Sequence, residues 1–264
     1  MRDIRLVQFT DTHLFGDGSG SLRGIATQPS LQQTLAHARS AIAAADAILV
    51  TGDLVQDDPS GYAQFRGIFS HLGKPVLCIP GNHDDPAAMR RALRAAPFQI
   101  GGFRDFGNWR VVLLDTSLAG SAAGRLAPNE LKLLDQSLAG AAGNHVLVCL
   151  HHHPVPMRSR WLDTVGLTNA ADFFAVLDRY DNVRAALWGH VHQEYDGARN
   201  GVRLLSTPST CTQFLPLADD FATDPLPPAY RQLQLSAAGQ IQTEVTWTDR
   251  TSAADSSQHS HSAA

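Results

Sequence analysis

Five short clusters of metal-type side chains, each at the end of an apolar run, constrain this chain more than any other feature. They are Asp11-Thr12-His13, Gly52-Asp53, Gly81-Asn82-His83-Asp84, His151-His152-His153-Pro154 and Gly189-His190-Val191-His192. The runs before them, residues 4–9, 47–51, 76–79, 146–150 and 183–188, have the length and the Ile, Leu and Val content of buried strands. Parallel strands would deliver all five clusters to one edge. Carboxylates, imidazoles and one amide gathered there form a mixed oxygen and nitrogen donor set, which suits manganese, iron, zinc or a similar divalent ion. The set is too large for one ion and fits two, so the chain reads as a two-metal hydrolase.

Elementary chemistry gives each candidate a role. A carboxylate such as Asp53 can bridge two ions through its two oxygens. Asp11 and His13, like His190 and His192, are two residues apart, so on extended backbone both point the same way. Asn82 offers a neutral carbonyl oxygen. Gly52, Gly81 and Gly189 stand directly before ligands, where a missing Cβ lets the backbone turn beside a crowded site. Two divalent ions, less Asp11, Asp53 and a bridging hydroxide, leave about one positive charge, which matches a phosphodiester monoanion and also attracts a monoester.

The rest of the chain narrows the setting. A hydrophobic fraction of 44% in 264 residues supports a large core. A formal charge of −4 gives no polyanion groove, so no nucleic-acid partner is expected. Arg90, Arg91 and Arg94 read as a solvated helix face. The three cysteines, Cys78, Cys149 and Cys211, show no metal spacing or close pairing. No signal peptide or membrane-length run is visible, which points to a cytoplasmic protein. Helices are expected over residues 30–45, 62–69, 87–96, 128–138 and 169–180, with further strands at 109–115, 202–206, 230–235 and 241–247. Strands are too many for one open sheet; two sheets packed face to face, with helices outside, accommodate them. Residues 1–248 are expected to form the domain and 249–264, rich in Ser, Ala and His, a disordered tail.

The five clusters, in this order, resemble the calcineurin-like metallophosphoesterases. Residues 10–15, 51–57, 150–154, 161–163 and 206–211 narrow the resemblance to the bacterial class III 3′,5′-cyclic AMP phosphodiesterases. It implies a four-layer α/β/β/α sandwich. It also implies a dinuclear site in which Asp11, His13 and His192 hold one metal, Asn82, His152 and His190 hold the other, and Asp53 bridges. The resemblance implies His152 from the triplet, because the family's ligand stands two residues before the proline, with His151 and His153 as alternatives. Iron and manganese are the expected metals, with zinc, cobalt or magnesium as alternatives. The activity implied is hydrolysis of cyclic AMP to 5′-AMP by a metal-activated hydroxide, with His83 at the leaving oxygen. Asp84 would orient His83 or cap the next helix. Asn82, His83 and His190 would also contact substrate, and Trp161 is the best-placed aromatic face for a base. The partner is then a small cyclic nucleotide, and a homodimer is left open. The competing enzyme reading is a broader phosphodiesterase or phosphomonoesterase on the same metals. A non-catalytic protein-binding module would call for an eroded ligand set, and none of the positions is missing.

Overall fold

The computed structural model describes residues 2–248, and the tail expected over 249–264 lies outside them. Twelve strands form two six-stranded sheets. In chain order they are β1 (Ile4–Phe9), β2 (Ala47–Thr51), β3 (Val76–Ile79), β4 (Phe98–Ile100), β5 (Gly102–Phe106), β6 (Trp109–Leu113), β7 (His145–Cys149), β8 (Val183–Trp188), β9 (Tyr195–Arg199), β10 (Val202–Ser206), β11 (Ala229–Leu235) and β12 (Ile241–Trp247). The first sheet runs β12-β11-β1-β2-β3-β4 and the second β9-β10-β8-β7-β6-β5. Strands β1 to β4 are mutually parallel, as are β6, β7, β8 and β10. The five polar clusters therefore leave two sheets, three from the first and two from the second.

Side-chain alternation explains the layers. In β2 every residue is buried. Ile48 and Val50 enter the core under the helices, while Ala47 and Leu49 face the other sheet. In β7, Val146 and Val148 point to helices and Leu147 and Cys149 to the opposite sheet. A strand buried on both faces must be apolar on both, which is why these runs look continuous rather than alternating. The core between the sheets carries Leu6, Leu77, Trp109, Val111, Leu187 and Leu233. Outside it, Leu31, Leu35, Phe65, Phe69 and Met89 cover the first sheet, and Leu134, Leu138, Phe173 and Leu177 the second. The result is the expected mixed α/β sandwich, with paired sheets between helical layers.

Several local expectations change. The helix expected over 30–45 is two helices, Thr27–His37 and Arg39–Ala44, separated at Ala38, whose ψ of 3° departs from helical geometry. The strands β4, β5 and β9 were not expected. The β9–β10 hairpin turns at Asn200-Gly201, with φ of 50° and 82°. Asn-Gly is the pair that such a two-residue turn favours, so the signal was there to read.

Candidate metal centre

The loop after β1 lies along the loop after β2. Asp11 N donates to Gly52 O at 3.0 Å, His13 N to Asp53 O at 2.9 Å and Leu14 N to Leu54 O at 3.0 Å. This ladder fixes Asp11, His13 and Asp53 side by side. The segment after β10 supports them: Ser209 Oγ donates to the Asp11 carbonyl at 2.7 Å, and Thr207 Oγ1 donates to Gln8 Oε1 in β1. Asp11, His13, Asp53, His190 and His192 all have φ between 46° and 66°. Left-handed backbone costs about 1–3 kcal/mol for each such residue and persists where the surroundings over-determine it.

Two groups of donors result. Asp11, His13 and His192 place one ligand atom each within 4.8 Å of one another, and so do His151, His152 and His190. His192 Nε2 is 3.3 Å from Asp11 Oδ1 and from His13 Nε2. Asp53 stands between the groups, with Oδ2 3.9 Å from His13 Nε2 and 3.3 Å from His151 Nε2. Asn82 Oδ1 is 3.3 Å from the same His151 nitrogen. The histidine facing Asp53 and Asn82 is thus His151, not His152. His152 Nδ1 is engaged with Thr116 Oγ1 at 2.8 Å. Its Nε2 is buried, and it stays in the group with His190. The His153 ring stacks on His190 at 5.6 Å.

The rings that line the site are held from behind. Thr51 O lies 2.7 Å from His151 Nδ1, Thr212 O 2.7 Å from His192 Nδ1, and Val165 O 3.0 Å from His190 Nε2. A carbonyl at one ring nitrogen fixes the proton there and leaves the other as a lone-pair donor, the arrangement metal-ligating histidines use. Electrostatics agree. Burial lowers the pKa of His13 to about 4 and holds His190, crowded by His152, well below the ordinary histidine value. Burial opposes ionisation of Asp53, yet His151 and His13 hold its pKa well below the usual carboxylate range. Burial likewise opposes ionisation of Asp11, and His192 beside it wins. Buried ionised carboxylates beside imidazoles, of which burial keeps His13 and His190 neutral, make a donor set that fits metal cations.

Close packing at the donors demands glycine, as Gly52 and Gly81 illustrate. Gly52 has φ of +100°, and a Cβ there would strike the His151 ring. A Cβ on Gly81 would meet the Asp53 carboxylate and lie 2.7 Å from His151 Nε2.

His83 sits at the rim. Its backbone N–H donates to Asp53 Oδ1 at 2.9 Å, and its Nδ1 is 2.9 Å from Asp57 Oδ2. The His83 ring offers a nitrogen within 4.8 Å of donor atoms of His13 and Asp53. Asp57 and Gln56, whose Nε2 is also 2.9 Å from His83 Nδ1, and not Asp84, are therefore the partners of the His83 ring. Asp84 corrects both expectations for it. Its carboxylate accepts from Gly81 N at 2.9 Å, Leu54 N at 3.1 Å and the Tyr62 hydroxyl at 2.9 Å. It ties two ligand loops together, while Asp85 caps the following helix. Burial, reinforced by Asp53, raises the Asp84 pKa to about 7.

A cavity of about 250 Å³ opens above the donors. Trp161 lines it together with Phe214, Phe221, Leu22 and Arg23. Phe214 stacks flat on His192 at 4.1 Å. The aromatic neighbours of Trp161 come from a separate hairpin, Gln213–Phe214 with Thr223–Asp224, too short to show as strands in the sequence.

Two facing sheets with this rim of Asp, His and Asn define a metal-dependent phosphoesterase. The chain belongs to the calcineurin-like phosphoesterase family, whose model matches residues 4–194. It is 40% identical over 247 residues to the 3′,5′-cyclic adenosine monophosphate phosphodiesterase CpdA of Pseudomonas aeruginosa, covering 93% of this chain and 90% of that one. It is 40% identical to CpdA of Escherichia coli over 244 residues, 92% of this chain and 89% of that one. Among solved structures, a dimetal phosphatase from Danio rerio superposes with a TM-score of 0.62 at 13% identity, covering 94% of this chain and all of that one. That likeness shows the shared fold.

Proposed function

We propose that this protein hydrolyses 3′,5′-cyclic AMP to 5′-AMP at a pair of metal ions. The observation that carries the reading is the pair of donor groups with Asp53 standing between them at the floor of an aromatic-walled cavity, in a chain 40% identical to cyclic AMP phosphodiesterases over nine-tenths of its length. Asp11, His13 and His192 would hold one ion, Asn82, His151 and His190 the other, and Asp53 both. The geometry favours His151 in the role that the sequence reading gave to His152. Iron and manganese suit a donor set of imidazole, carboxylate and amide without thiolate. When bound, such a pair supplies Lewis acidity toward phosphate oxygens and an activated water.

The chain's own residues do the rest. Asp53 and Asp11 supply the anionic floor that offsets the cations and sets the balance for a monoanionic diester. His83, with Nδ1 directed at Asp57, presents its other nitrogen for a proton on the leaving oxygen. Asn82, His83 and His190 line the cavity where the phosphate would lie. A diffusible cyclic nucleotide in the cytoplasm is the setting that fits three free buried cysteines and a net charge of −4. No helix among the described residues is long and apolar enough to cross a membrane.

The test is a substrate panel on metal-loaded protein: cyclic AMP, 2′,3′-cyclic AMP, bis(p-nitrophenyl) phosphate and p-nitrophenyl phosphate. Cyclic AMP should give the highest kcat/KM, with 5′-AMP as product. A preference for p-nitrophenyl phosphate would establish the broader phosphomonoesterase reading instead. His83→Ala should lower kcat on cyclic AMP by about 10²–10⁴ and less on the nitrophenyl diester, whose leaving group needs little protonation.

A further inference from the structure

The two walls of the cavity differ in how they are held. One wall is Trp161 with Phe214 and Phe221. The three rings meet edge to face, Trp161 with Phe214 at 5.3 Å, Trp161 with Phe221 at 5.2 Å and Phe214 with Phe221 at 5.4 Å. This wall is anchored. Trp161 N donates to Asp219 O at 3.1 Å, Ser159 Oγ donates to Ala218 O, and Arg160 pairs with Asp219 at 2.8 Å. Phe214 in turn lies flat on His192, so the wall is continuous with the donor set. The facing wall is a two-residue hairpin, Ser21–Leu22 with Ile25–Ala26, whose tip residues Arg23 and Gly24 are exposed. Among the described residues, Thr27 N and Oγ1 donate to Gly20 O at its base, and the hairpin meets the other wall through Arg23, whose guanidinium lies 4.6 Å over the Phe221 ring.

We propose that this cleft is the nucleobase subsite, with Phe221 as the stacking face and Arg23 as a cover that a base displaces outward and then rests beneath. The inference rests on the cyclic nucleotide reading and deepens it by naming the residues that recognise the base. Three features support it. Phe221 is 42% exposed although large and apolar, and the charged group over it among the described residues is a guanidinium, which stacks on aromatic bases as readily as on phenyl rings. The space between guanidinium and ring is too small for a base, so entry requires the Arg23 hairpin to shift by about one ring thickness. That hairpin has little holding it back, whereas the Trp161 wall has three anchors. The cleft also adjoins His192, so a base seated there lies next to the donor set where the phosphate belongs.

The test is calorimetric binding of 5′-AMP and of ribose 5-phosphate to the full metal-loaded chain, in the native protein and in Phe221→Ala, Arg23→Ala and Phe221→Trp. Both ligands carry the sugar and phosphate; only the first carries a base. Native protein should bind 5′-AMP at least about ten-fold tighter than ribose 5-phosphate, since a stacked base contributes about that much or more. Phe221→Ala and Arg23→Ala should shrink this ratio at least three-fold without changing the ribose 5-phosphate affinity, and Phe221→Trp should preserve it. Equal affinity of the native protein for the two ligands, or an unchanged ratio in Phe221→Ala and Arg23→Ala, overturns the subsite. The assay reads binding alone, so it decides the subsite even if cyclic AMP proves not to be turned over, a result that would sink the proposed activity separately.

Discussion

At the scale of single residues, the histidine triplet shows what spacing cannot decide. Three adjacent histidines after a strand point in different directions, and a one-residue error exchanges a ligand for its neighbour. The choice depends on which ring finds a carbonyl behind it and an acceptor in front. His151 has Thr51 O behind and Asp53 with Asn82 in front; His152 has Thr116 at its side. We expect His151→Ala to hold about one ion per chain where the native protein holds two, and His152→Ala to keep both with altered turnover. Elemental analysis of purified variants checks this. Retention of two ions in His151→Ala, with loss in His152→Ala, would restore His152, the assignment that the family resemblance implies. The carbonyls that orient the rings, at Thr51, Val165 and Thr212, carry no sequence signal, because every residue has one. Asp57 was legible only as part of a family segment, and its contact with His83 depends on a left-handed turn, φ 53°, that no pattern announces.

At the scale of elements, the strands that end in ligands were legible because each is apolar on both faces and stops abruptly at a polar cluster. Those without such a stop were not: β4 and β5 are three and five residues of half-buried, mixed character joined through Gly101. The hairpin that carries Phe214 has two-residue arms and no periodicity at all. Glycine spacing beside the ligands was readable, and it leads to a paired prediction. Gly81→Ala places a Cβ against the Asp53 backbone nitrogen and carboxylate, which cannot swing away. It should destabilise the protein by about 1–3 kcal/mol, the usual cost of overpacking, and weaken metal binding. Gly67→Ala, in the helix Gly61–Phe69 with nothing within 4 Å of its added Cβ, should leave activity alone and raise stability by about 0.4–1 kcal/mol. Thermal melts with metal titration distinguish the two; equal effects would mean the ligand loops are not close-packed.

At the scale of the whole molecule, two sheets donate ligands to one rim, so metal binding and folding are linked. Without metal, the Asp53 carboxylate overcomes burial and raises the His151 pKa to about 9, above the ordinary histidine value near 6.5. That pair stabilises the fold fully below about pH 6.5 and its contribution is lost as pH rises through about 9. Asp84, favoured in its protonated form up to about pH 7, acts in the same direction. The chelated protein should therefore melt several degrees lower at pH 9 than at pH 6.5, as followed by calorimetry, and added metal, which needs His151 neutral, should remove most of that fall. A melting temperature that rises with pH in the chelated protein would contradict the pairing. The most direct test of the whole account is to titrate chelated protein with manganese while following conversion of cyclic AMP to 5′-AMP. Activity should appear as the second ion per chain binds, and Asp53→Ala should show neither two tight ions nor turnover. Full activity at one ion per chain, or two tight ions in Asp53→Ala, would contradict a shared two-metal site.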